Sequence, residues 1–169
     1  PENAFFADGV QDQILTDLAK VADLKVIGHT SVQQYKGGPG RDRSKIGEQL
    51  GVAYLLEGSV QRSERRLRII AHLIDARSNA QLWAETYDRQ LADVFTIQSE
   101  IAQEIVRQLQ ATISPQEKAL IEERPTNDMV AFDLYLQAKE LIDNYLDAPD
   151  PKVSFFKALR LLDEATARD

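Results

Sequence analysis

Apolar residues recur at helical spacing from Ala7 to Val21, where Val10, Ile14, Leu18 and Val21 form one stripe and Leu15 widens it. Asp8, near the front of that stretch, is placed to cap the helix or to meet the positive end of its dipole. The next apolar group, LKVIGHT (Leu24–Thr30), is short and β-rich and predicts a buried strand. YKGGPGRDR carries three glycines and a proline and predicts a turn-rich loop. A brief helix over Ser44–Leu50 follows, stopped by Gly51.

Strand character then replaces the helical period. Val52–Arg62 reads as a strand, SER (Ser63–Arg65) as a turn, and Arg66–Asp75 as the returning strand. ARSN (Ala76–Asn79) turns the chain again into Ala80–Tyr87. Connections this short permit only antiparallel neighbours, so the three strands form a meander. The middle strand is apolar on both sides, with Leu67, Ile69, Ala71 and Leu73 on one and Ile70 and Ile74 on the other. A strand covered on both faces, or central in its sheet, accounts for that pattern.

The clearest amphipathic period follows, a helix from about Asp93 to Ile113 built on Val94, Ile97, Ile101, Ile105 and Leu109. Pro115 starts a further short helix that ends before Pro125. RPTND (Arg124–Asp128) reads as a linker with a potential cap. Met129–Tyr145 and Val153–Arg168 then read as two helices joined around LDAPDP (Leu146–Pro151), an αα-hairpin. The expected fold is therefore α/β, a mixed sheet with an antiparallel three-strand meander flanked by helices, plus a C-terminal all-α hairpin. The expected division is 1–124 and 125–169.

Composition narrows the function. The chain has 169 residues, 43% of them hydrophobic and 28% charged, enough to build a core. A net charge of −7 opposes nucleic acid as the main partner and favours proteins. There is no cysteine, hence no disulfide or thiolate chemistry, and no apolar run reaches the roughly 18–20 residues a membrane span needs. The chain opens on PENAFFADG without a methionine or a signal peptide and reads as an excised fragment. A cytoplasmic location is expected, with the periplasm left open.

Reactive chemistry is sparse. His29 and His72 lie on predicted strands without ligand-spaced partners, so no metal site is expected. Asp75 three residues after His72 invites a triad, but no serine occupies a nucleophile elbow. YKGGPGR lacks both the P-loop spacing and the dinucleotide GxGxxG. Arg62, Arg65, Arg66 and Arg68 form a basic knot at a hairpin tip, read as solvated turn charges or as a docking point for an acidic protein. Trp83 is read as a core residue. No enzyme and no cofactor is expected. The candidate contacts are Thr30, Ser31, Tyr35 and Lys36 beside a pocket under the first helix, Arg65 and Arg66 at the tip, and Tyr135 on the hairpin.

Taken together, FFADGVQDQILTDLAK, LKVIGHTSVQQYKG, IGEQLGVAYLLEGSVQR and LRIIAHLIDARSNAQLWAETYDRQLADVFTIQSEIAQEIV resemble the amino-terminal TolB-like domain of bacterial signalling proteins. The likeness covers about Phe5 to Leu109. Met129–Asp169 resembles the first unit of a tetratricopeptide array, with Ala138, Ala158, Leu162 and Ala165 at its packing positions. The resemblance implies a non-catalytic regulatory module of the kind that follows a class III nucleotide cyclase, a winged-helix domain or a Ser/Thr kinase domain. Two departures accompany it. The apolar strand with which such domains open is absent, and the repeat is about eight residues longer than the usual 34. The absent strand predicts a sheet edge filled by another chain, giving a homo-oligomer, and the single hairpin is expected to lean on the α/β part or on a second copy. The leading expectation is an interaction and signal-relay module binding proteins through the hairpin. The alternative is a small-ligand sensor.

Overall fold

A three-stranded sheet organises the larger part of the chain. A computed structural model describes residues 4–36 and 42–169. The chain divides into two units, Val10–Glu123 on the one hand and Arg124–Asp169 with the residues up to Gly9 on the other.

In the larger unit, β1 (Tyr54–Arg62), β2 (Arg66–Asp75) and β3 (Gln81–Gln90) form an antiparallel meander in the order β1-β2-β3. Central placement explains the apolar character of β2, yet only one of its faces is covered. Leu67, Ile69, Ala71 and Leu73 are buried, and Trp83 and Tyr87 from β3 share their side. Arg66 and Arg68 point to the open side, where Ile70 is half-buried. Ile74 belongs with the buried set because the ladder shifts register between Leu73 and Ile74, which rotates it inward. Gly58 lets β1 approach β2: a Cβ there would stand 2.3 Å from the Ile70 carbonyl oxygen.

The helix α1 (Ala4–Ala19) starts earlier than its Val10–Leu18 stripe suggests, because Phe6 extends the same stripe by one turn and is fully buried. Asp8 consequently sits inside the helix and not at its start. The predicted strand at Leu24–Thr30 is corrected. Leu24–Gly28 is irregular, and His29 opens a short helix, α2 (His29–Val32), continued by a 3-10 turn at Gln33–Tyr35. No described strand lies opposite this segment, and β-propensity without a ladder partner does not make a strand. His29 is thus a helical residue, while His72 is on a strand as expected.

Helix α3 (Arg43–Leu50) is capped by the Asp42 carboxylate and ends at Gly51, whose φ of 66° is the left-handed turn glycine adopts freely. Gly37–Arg41, most of the predicted loop, lies outside the described residues. A 3-10 turn at Leu91–Asp93 leads into α4 (Val94–Gln108), which packs Ile97, Ile101, Ile105 and their neighbours against β2 and β3. Full burial of each such side chain stabilises by about 1.5–3 kcal/mol. This helix stops short of Ile113. Gln110 takes a φ of 53°, and the Gln110 and Ala111 amides bond back to the Arg107 and Val106 carbonyls, a Schellman ending. Helix α5 (Pro115–Glu122) starts in a capping box between Ser114 and Glu117.

In the second unit, α6 (Met129–Asp143) and α7 (Pro151–Thr166) pack as a hairpin around a 3-10 turn at Tyr145–Asp147. Asp128 and Asp150 cap the two helices through their side chains. Arg168 reaches the Asp128 carboxylate at 3.1 Å, joining the end of α7 to the start of α6. Phe132 and Leu136 of α6 and the two alanines Ala158 and Ala165 of α7 are buried, and the Phe6 ring meets Phe132 edge-on at 6.4 Å.

Candidate functional site

The residues expected to make contacts fall on three separate elements. Thr30, Ser31, Tyr35 and Lys36 lie together along α2 and its 3-10 extension, with Thr30, Ser31 and Lys36 exposed. Tyr35 donates its hydroxyl hydrogen to Gln49 Oε1 at 2.9 Å, which ties this turn to α3. His29 is buried beside them, and its Nε2 has no hydrogen-bond partner among the described residues.

Arg65 and Arg66 sit at the β1–β2 tip. The backbone there also carries α4's approach, since Leu91 N–H donates to the Arg65 carbonyl at 3.0 Å. The basic knot is partly neutralised across the sheet, where Arg66 and Arg68 both donate to Asp88 of β3, Arg68 at 2.8 Å. The Arg66 and Arg68 guanidiniums together hold the Asp88 carboxyl below the usual carboxylate range. Arg43 and Glu57 form a two-pronged pair at 2.9 Å on each arm.

The His72–Asp75 pair does not assemble as a relay. His72 Nδ1 stands 2.9 Å from Gln81 Oε1, and Asp75 Oδ1 accepts from the Arg77 and Ser78 amides at 2.9 and 2.8 Å. Those amide bonds, Ser78 foremost, lower the Asp75 carboxyl and shape the β2–β3 turn. Trp83 is in the core, as its sequence context suggested. Among the described residues no group of three or more histidine, aspartate or glutamate side chains is arranged to hold a metal ion. No described helix is long and apolar enough to cross a membrane.

Two buried polar side chains were not singled out by the sequence. Asp17 on α1 is 2% exposed and accepts from Lys20 at 2.8 Å and Gln13 at 3.1 Å; burial pushes its carboxyl upward despite these partners. Gln98 on α4 is 1% exposed, and neither its oxygen nor its nitrogen has a partner among the described residues.

Most of the exposed large hydrophobic side chains among the described residues lie on the hairpin. Tyr135, a candidate contact, is exposed on α6, but the denser feature lies on α7 and the turn before it. Tyr145 meets Phe155 edge-on at 6.3 Å, and Phe155 meets Phe156 at 6.0 Å. Leu146, Val153, Phe156 and Leu159 are exposed beside them. The signal for this surface is in the sequence, because the apolar residues of 153–162 spread over more of the helix circumference than one buried stripe requires.

No family model matches the chain. It is similar to "Putative adenylate cyclase 3" of Rhizobium meliloti (strain 1021), with 42% identity over 142 residues. That stretch covers 84% of this chain and 24% of the relative, so the chain spans about a quarter of the length of the curated protein it matches.

Proposed function

We propose that this chain is a protein–protein interaction and signal-relay segment of a cyclase-linked signalling protein, without a reaction centre of its own. In this reading the α/β unit is a TolB amino-terminal-like domain and the hairpin is the start of a tetratricopeptide array. The observation that carries it is the exposed aromatic and aliphatic surface of residues 145–159, since soluble monomers seldom leave such a cluster uncovered. Similarity to a quarter of a protein named as an adenylate cyclase supports the link to cyclic-nucleotide signalling.

Cyclic nucleotide formation tests the reading, measured for this chain alone and for the Rhizobium relative with and without the segment it matches. The isolated chain should form no product. Removing the segment should change the relative's rate while leaving its KM for ATP unaltered, because the segment touches no substrate. Product formed by the isolated chain, and lost on replacing His72 or Asp75, would overturn the proposal. A thermal-shift screen of nucleotides and sugars probes the sensor alternative at Thr30, Ser31, Tyr35 and Lys36, where a specific shift abolished by Tyr35→Phe or Lys36→Ala would favour it.

A further inference from the structure

Helix α7 gives its unit only two buried side chains, Ala158 and Ala165. Its outer face carries something more ordered than stray apolar residues. Lys152, Phe156, Leu159 and Asp163 follow one another at steps of four, three and four residues. With about 3.6 residues per turn those steps place them in one stripe along the helix. All four are exposed, Phe156 the most at 68%. Neither Lys152 nor Asp163 has an ion-pair partner among the described residues, whereas the flanking Arg160 and Glu164 pair with each other at 3.0 Å.

The stripe has the same spacing in both directions, and its two ends carry opposite charge. A copy of the helix laid over it antiparallel would set Phe156 against the partner's Leu159 and Lys152 against the partner's Asp163. By symmetry each contact would occur twice. We propose that α7 pairs with α7 of a second copy of this chain, antiparallel, about a two-fold axis passing between Phe156 and Leu159. The inference rests on the interaction reading and names its partner.

The charges select this occupant over others. A parallel pairing would place like charge on like. A uniformly acidic peptide would gain Lys152 but oppose Asp163 and Glu164, and an anionic lipid surface would meet the same two carboxylates. An isologous antiparallel contact satisfies both ends at once. One pair of helices buries less than the roughly 800 Å² per partner of a standard interface, so the association is weak, of about micromolar strength.

Sedimentation equilibrium of the 169-residue chain tests this. The mass should rise with concentration from 19.0 kDa towards twice that value. Phe156→Glu should weaken association by about tenfold or more, as expected for a central apolar anchor. Lys152→Glu should weaken it by about three- to tenfold, and Lys152→Glu combined with Asp163→Lys should restore it to within about twofold. These side chains are exposed, so circular dichroism should show each variant folded. A chain that stays monomeric at every concentration, a dimer indifferent to Phe156→Glu, or a charge exchange without restoration would each overturn the proposal. None of those results would touch the interaction reading, which the product assay decides.

Discussion

Gln98 occupies a position that the spacing of Val94, Ile97 and Ile101 assigns to the interior, and the interior is where it lies. The period was legible; the polar residue type was not a guide to burial. An amide buried without partners costs stability, so Gln98→Met should raise unfolding free energy by about 1–2 kcal/mol in a denaturant titration. A loss of stability would mean that the amide makes a bond the core depends on. Glu117 shows the opposite case. Its carboxylate accepts from the Ser114 and Ala22 amides at 2.7 and 2.8 Å, and the hydrogen bonding with Ser114 foremost draws its pKa to about 2 from 4.5. A lowered carboxyl stabilises the fold above its unfolded value and loses that contribution as pH falls from 4.5 towards 2. Glu117→Gln should therefore be less stable than the parent at neutral pH, with the difference closing through that window. A difference independent of pH would contradict the assignment.

At the scale of elements, what could be read depended on whether local signals sufficed. The ends of β2, the stop of α3 at Gly51 and the start of α5 at Pro115 agree with their sequence signals. Helix α4 stops before its predicted end, a stop the sequence did not signal because no glycine marks its Schellman turn. Gln110 holds the left-handed conformation instead. Gln110→Gly should consequently stabilise the protein by about 0.5–1 kcal/mol, measured by thermal or chemical unfolding. An unchanged or lower stability would show that the Gln110 side chain offsets its backbone strain. Leu24–Gly28 failed for a different reason. Strand formation is a property of a pair, and the residues of one segment do not reveal whether an opposing segment exists.

For the whole molecule, the fold class was legible because the meander and the long amphipathic helices are set by local period and short connections. The candidate surface was only half legible. Tyr135 was singled out as a candidate contact and is exposed, whereas Phe155, Phe156 and Leu159 were not singled out, because a helix alone does not show which of its apolar faces will find cover. Thr30, Ser31, Tyr35 and Lys36 are spread along α2 and the 3-10 turn after it, and Arg66 is engaged with Asp88. Of the surfaces described, the one on α7 therefore has both the apolar area and the unpaired charges that association uses. Amide hydrogen exchange along the chain, compared between dilute and concentrated solution, measures directly where association occurs. Exchange should slow with concentration along α7 between Val153 and Asp163 and stay unchanged in β1–β3. Slowing along β1 instead, or no concentration dependence in any segment, would contradict the account.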